Sequence, residues 1–312
     1  MRPSPLPVRL SALLALAASV AAPAQDRTER TPPGVVAHRD LAYVTDGHER
    51  QKLDLYLPER AAGETAKPLP LIVWVHGGGW RGGNKVHCLA LRAGFVERGY
   101  AVASVGYRLS GTAPFPAQIE DCRAALRWLR AHADEYGLDR KRFGVWGSSA
   151  GGHLVALLGT SGDENVFQAG EHLDASARVQ AVCDFYGPSD LAAFLETPGY
   201  ERQGDRPNSP VYALLGGPLS EKTDLARQAN PITYISENDP PFLIVHGTDD
   251  KTVPLNQSER LHAALKEAGV ESQLVTLPGA GHGGPAFNEP KVRTAIEKFF
   301  DRHLKPEQPE RR

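Results

Sequence analysis

The pentapeptide Gly147-Ser148-Ser149-Ala150-Gly151 places a hydroxyl at the centre of a turn made of small residues. An apolar run at 143–146 precedes it, and an apolar helical segment begins near Gly152. A sharp turn from strand to helix strains its central residue and lifts that side chain above the sheet, and small residues on either side let strand and helix approach. Ser149 occupies that centre, and Ser148 is the rival hydroxyl beside it. A serine hydroxyl is a weak nucleophile at neutral pH, so it needs a base to take its proton and a carboxylate to orient that base.

The chain supplies both in order. After the apolar run 242–245 comes His246-Gly-Thr-Asp249-Asp250-Lys-Thr-Val253-Pro254. Asp250, just before the Thr-Val-Pro that opens the next helix, is the expected orienting carboxylate, and Asp249 reads as a turn or capping residue. After the last strand, Leu277-Pro-Gly-Ala-Gly281-His282-Gly-Gly-Pro285 offers one histidine in a loop of small residues. The chain has 11 histidines, so a lone one carries little weight. The order Ser149, Asp250, His282, each following a predicted strand, singles His282 out as the base. His246 reads as a structural residue at its strand end, and His153 as a core or supporting residue on the helix after the serine.

Attack on an ester carbonyl puts negative charge on oxygen, which preorganised backbone donors stabilise by several kcal/mol. His76-Gly77-Gly78-Gly79-Trp80 follows the apolar run 71–75. Without Cβ atoms its N–H groups can come close to an oxyanion. Gly78, Gly79 and Ala150 are the candidate donors. A simple glycine turn would carry the same residues; a phosphate loop would need Gly-x-x-x-x-Gly-Lys-Ser/Thr, which does not occur here. Trp80 and Tyr186 are candidate substrate-binding residues, with Phe185 beside them, although large aromatics at strand ends also serve as plain core. Cys88, Cys122 and Cys183 stand at unrelated spacings inside apolar patterns. They read as buried thiols rather than as a nucleophile, a metal site or a disulfide framework. No metal and no cofactor is expected.

The elements that must hold these residues alternate in type. Strand-like runs at 35–44 and 52–57 flank Asp46-Gly47 and read as an antiparallel hairpin. Continuous apolar runs at 71–75, 100–105, 143–146, 179–183 and 242–245 have the pattern of strands buried on both faces, and a last strand falls at 272–277. Helical spacing of Ile119, Cys122, Leu126 and Leu129 predicts a helix over 118–136, and another is expected at 291–303. The fold class is therefore α/β, a mainly parallel sheet with helices on both faces. The turn-rich stretch 190–241 reads as a small cap-like insertion over the sheet, not a second domain, so residues 25–312 form one domain.

Composition removes other classes. The 35 Lys+Arg and 37 Asp+Glu leave a net charge of -2, which provides no basic field for nucleic acid. Residues 1–24 carry Arg2 and Arg9, an apolar stretch over 10–22, and Ala22-Pro23-Ala24. That is the pattern of a secretory signal peptide, and a stretch of 13 residues falls short of the roughly 20 that a spanning helix needs. The expectation is an exported protein, periplasmic or secreted, with no membrane span in the mature chain.

In order and context these segments resemble the α/β-hydrolase family, specifically the serine esterases with an HGGG-type oxyanion loop. The resemblance is close to the hormone-sensitive-lipase-like and the bacterial feruloyl or acetylxylan esterase-like enzymes. The resemblance covers about residues 50–305 and extends to Asp121–Arg130 and Gly187–Asp190. It implies an eight-stranded, mostly parallel sheet, Ser149 as nucleophile, His282 as base and acid, Asp250 as its orienter, and no cofactor. The resulting expectation is a carboxylesterase acting on small or carbohydrate-linked esters through an acyl-enzyme. Two alternatives differ in chemistry: an arylformamidase-type amide hydrolase, and a non-catalytic binding protein on the same fold. A metal-dependent deacetylase would need clustered His and Asp ligands.

Overall fold

The computed structural model describes residues 31–59, 67–162, 165–201 and 204–305. The expected leader at 1–24 lies outside the described residues. Among them, eight strands form one sheet in the order β1-β2-β4-β3-β5-β6-β7-β8. The hairpin is β1 (Val35–Ala42) and β2 (Lys52–Pro58). The rest are β3 (Leu69–Val75), β4 (Ala101–Val105), β5 (Leu138–Ser148), β6 (Ala181–Phe185), β7 (Phe242–Gly247) and β8 (Ser272–Leu277). β1 pairs with β2 and β2 with β4 antiparallel; every later pairing is parallel.

The four main helices for the site are α1 (Ala117–Ala131), α2 (Ala150–Thr160), α3 (Asn256–Glu267) and α4 (Pro290–Leu304). Side chains of α1, α2 and α3 (Ile119, Leu154, Leu261) join one buried cluster, and those of α4 (Ile296, Phe300) join a second. β5 shows how the sheet divides them: Phe143 and Val145 belong to the first cluster and Trp146 to the second. Coverage on both faces is why the central strands read as unbroken apolar runs rather than as alternation. A Cβ on Gly144 would run into Leu304 and Phe300, so this glycine lets α4 lie close to the strand.

Several boundaries differ from the sequence reading; β5, expected at 143–146, already begins at Leu138 and ends at Ser148. The expected helix over 118–136 breaks at His132, whose ring stacks on Trp128 at 4.1 Å and whose Nδ1 lies 2.9 Å from the Trp128 carbonyl. A separate turn, Ala133–Tyr136, then ends at Gly137 in the left-handed conformation. β6 begins at Ala181 and runs on to Phe185, because its partner β5 continues to Ser148. The helix after the serine starts at Ala150, two residues early. In the stretch 190–241, the short helices Ala193–Glu196 and Pro210–Leu215 send Phe194, Val211 and Leu214 into the same cluster as α1 and α2.

Candidate active site

β5, β7 and β8 end on the same edge of the parallel sheet, and each feeds a loop that carries one of the expected residues. Ser149 stands between β5 and α2 with φ 55° and ψ -122°, the strained conformation a tight strand-to-helix turn demands. The flanking glycines are forced: a Cβ on Gly147 would meet the Gly151 carbonyl, and one on Gly151 would meet the Val75 carbonyl. Backbone bonds from Ser149 N–H to Phe185 O (2.8 Å) and from His153 N–H to Ser149 O (2.9 Å) fix the turn.

His282 Nε2 lies 2.9 Å from Ser149 Oγ, and its Nδ1 lies 2.6 Å from Asp250 Oδ2. The other carboxylate oxygen, Oδ1, accepts the N–H groups of Thr252 (2.7 Å) and Val253 (2.9 Å). Burial pushes the Asp250 carboxyl up, but hydrogen bonds from His246, His282 and the Val253 N–H outweigh it and hold the group well below the usual carboxylate range. Asp249 is exposed, and its carboxylate accepts from the Thr248 hydroxyl (3.3 Å). The structure thus brings Ser149, Asp250 and His282 together and leaves Asp249 outside.

The glycine loop is held from beneath. His76 Nδ1 lies 2.8 Å from the Gly77 carbonyl, its ring stacks on Tyr107 at 4.3 Å, and the Tyr107 hydroxyl donates to His76 O (2.9 Å). Burial lowers the His76 pKa to about 4. Gly78 and Gly79 have φ of 116° and 59°, conformations an L side chain resists. Among the described residues no backbone acceptor faces the N–H of Gly78 or Gly79. Ala150, first in α2, has no intrahelical acceptor for its N–H either. These three donors line one cavity of about 550 Å³ with Ser149 and His282.

Trp80 and Tyr186 also line it, whereas Phe185 packs with Trp146 and Phe287 in the core below. The Trp80 indole donates to His153 Nδ1 (3.1 Å), and His153 Nε2 reaches the Ala229 carbonyl (2.6 Å). An indole N–H only donates and a carbonyl only accepts, so His153 carries its hydrogen on Nε2. Burial lowers its pKa to about 4. Tyr186 packs edge-on against His282 at 4.6 Å.

Several wall residues were not singled out from the sequence. Phe194, Pro210 and Val211 come from the stretch 190–241, and Arg81 and Lys251 follow the glycine loop and Asp250. Adjacency to a motif was the signal for the last two; nothing local marks the others. His246 is also closer to the chemistry than a structural reading suggests, with Nε2 at 3.3 Å from Asp250 Oδ2. Among the described residues no group of three or more His, Cys, Asp or Glu is placed to hold a metal ion, and no disulfide joins the three buried cysteines.

Residues 53–265 match the BD-FAE family model, and residues 222–311 match that of TAP-like proteins. Esterase LipC of Mycobacterium tuberculosis is 33% identical over 82% of this chain, which spans 64% of LipC's length. The fold resembles a truncated carbohydrate esterase from gut microbiota with a TM-score of 0.78 and 28% identity, covering 87% of this chain and 97% of that one. An acetyl ester-xyloside bifunctional hydrolase from Caldicellulosiruptor lactoaceticus matches with a TM-score of 0.67 and 26% identity, covering 80% and 87%.

Proposed function

Because the chain belongs to the BD-FAE family, on the α/β-hydrolase fold, we propose that it is an exported serine carboxylesterase for small or carbohydrate-linked esters. The observation that carries the reading is the unbroken contact from Asp250 Oδ2 through the His282 imidazole to Ser149 Oγ, at 2.6 and 2.9 Å. Carbohydrate and acetyl-ester names among the structural neighbours support the substrate class. The pattern at 1–24 supports export, and no helix among the described residues is long and apolar enough to cross a membrane.

In this reading Ser149 Oγ attacks the ester carbonyl carbon as its proton passes to His282 Nε2. Asp250 holds Nδ1–H and stabilises the imidazolium. The carbonyl oxygen takes up the electron pair and rests on the N–H groups of Gly78, Gly79 and Ala150. When the C–O bond breaks, His282 gives its proton to the departing alkoxide and an acyl-Ser149 ester remains. Water, deprotonated by the same nitrogen, then releases the acid and restores Ser149.

The test is hydrolysis of p-nitrophenyl acetate, p-nitrophenyl octanoate, methyl ferulate, acetylated xylan and N-formylkynurenine by the protein and by Ser149→Ala. The variant is expected to lose about 10³-fold or more in kcat and to melt within a few degrees of the parent. Retention of most activity would sink the assignment; a preference for N-formylkynurenine would move it to amide chemistry.

A further inference from the structure

The walls of the reaction cavity are mostly apolar, with Trp80, Phe194, Val211 and Val253 among them, but its rim carries two exposed cations, Arg81 and Lys251. Among the described residues no carboxylate side chain lines this cavity. Several other cations face carboxylates, while Arg127 and Arg130 donate to backbone carbonyls. A second cavity, of about 460 Å³, is lined by Arg39, Arg50, Lys52 and Lys85 together with Asp40, Glu49 and Asp54. There Lys85 bridges Asp40 at 2.9 Å and Asp54 at 2.5 Å. Arg108 pairs with Asp121 and Arg260 with Asp190. Arg81 instead donates to the backbone carbonyl of Asn208. That bond ties Arg81 to the turn that leads into Pro210 and Val211, which line the same cavity. Lys251 directly follows Asp250, the acid of the proposed triad.

Two cations without counter-charges, on loops that flank Ser149 and over an apolar wall, suit a ligand with a compact apolar body and a negative end. We propose that the cavity selects esters that carry a carboxylate, with Arg81 and Lys251 as the specificity-determining pair. This rests on the serine-hydrolase reading above and narrows its substrate class. Hydrolysis is unchanged: water adds across the acyl C–O bond, and one product keeps the second carboxylate. That carboxylate can belong to the acyl half, as in the half-ester of a dicarboxylic acid, or to the alcohol half, as in an ester on a hydroxy acid such as a uronic sugar.

Two matched pairs separate these sources. The acyl pair is p-nitrophenyl monoadipate against p-nitrophenyl hexanoate, and the alcohol pair is 4-acetoxybenzoate against p-tolyl acetate. Rates are measured as kcat/KM with the Ser149→Ala background subtracted. In at least one pair the anionic member is expected to be about tenfold better at low ionic strength, the equivalent of one fully felt charge contact. That ratio should shrink in 0.5 M salt, where exposed charges are screened. Lys251→Met and Arg81→Gln should each reduce it severalfold, and together bring it to unity. Serine-dependent turnover of the neutral esters with both ratios at or below one overturns the inference and leaves the esterase reading standing. The same holds for ratios that neither salt nor the double variant moves. Failure to find serine-dependent turnover of any of the four overturns both.

Discussion

Asp250 Oδ2 stands between two imidazoles, 2.6 Å from His282 Nδ1 and 3.3 Å from His246 Nε2, and the two sides of that carboxylate differ in how much of each ring is already spent. His246 is fully buried, with Nδ1 against the Ser258 hydroxyl (2.6 Å) and Nε2 against the Val253 carbonyl (2.9 Å). The carbonyl can only accept, so Nε2 carries the hydrogen and its second neighbour is the carboxylate. His282 is partly open, its side chain 23% exposed, and the nitrogen away from Asp250 faces the Ser149 hydroxyl and the cavity. His76 and His153 resemble His246, each buried with both ring nitrogens in contact. Proton transfer needs a nitrogen whose other partner can change, and residue type says nothing about that; the accounting of each ring's bonds does.

The sharpest way to break this comparison is to remove the shared carboxylate charge. Asp250→Asn keeps an oxygen for the Thr252 and Val253 N–H groups but presents an amide to His282 Nδ1, which favours the wrong tautomer. A loss of about 10⁴-fold in kcat is expected. Asp249→Asn, changed at an exposed position outside the contact chain, is expected to stay within about twofold. Steady-state kinetics on p-nitrophenyl acetate decides between them, and the reverse result would mean that the wrong carboxylate has been assigned.

The buried side offers a smaller effect of a different kind. His246→Ala removes one hydrogen bond to a charged group, so a loss of about 10- to 100-fold in kcat is expected. A cavity and an unsatisfied Ser258 add a stability loss of about 2–4 kcal/mol. With one donor gone, Asp250 binds protons and the His282 imidazolium more tightly, so the acid limb of kcat/KM moves to higher pH. His246→Gln, whose amide N–H can reach the same carboxylate, should recover most of kcat. If His246→Ala lowers the denaturant midpoint while kcat and the acid limb stay put, the residue only fills space.

The two sides of Asp250 were unequally legible in the sequence. Ser149 and Asp250 follow continuous apolar runs that read as buried strands, and His282 follows the half-polar edge strand β8, so the parallel sheet and the order of the three loops came from the strand pattern. The contact of His246 with Asp250 depends on the chain at 250–253 folding back under β7, which no local periodicity encodes. The same holds for Phe194, Pro210 and Val211, brought to the cavity wall by the path of the whole stretch 190–241. The break at His132 is not legible in the sequence because Ala133, Asp134 and Glu135 continue a plausible helical pattern. Trp80 and Tyr186 were singled out as aromatics, but their φ of 55° and 46° were not foreseeable. Neither residue type favours that conformation, and tertiary contacts hold them in it, including the bonds from Ser110 N–H to Trp80 O and from Tyr186 N–H to Val245 O.

A last comparison sets Asp250 against Asp184, the other buried carboxylate near the site. Asp184 Oδ1 accepts the Gly187 N–H (2.9 Å), while Oδ2 has no hydrogen-bond partner among the described residues. Burial therefore prevails, and its pKa rises to about 6. The two carboxylates then bias stability in opposite directions. Asp184 binds its proton more tightly folded than unfolded, so its contribution is fully present below about pH 4 and is lost as pH rises towards 6. Asp250, held low, contributes above about pH 4 and loses that contribution as pH falls further. Between pH 4 and 7 the loss from Asp184 opposes the gain from His76 and His153, whose pKa values burial lowers to about 4, so Asp184→Asn, which cannot titrate, should make Tm rise by about 5 °C more across that range. The readout is the slope, because a buried amide at this position also changes the absolute Tm. An unchanged slope would mean that Asp184 is ionised in the folded protein throughout that range, and that its neighbours supply a stabilisation that the orphaned Oδ2 does not reveal.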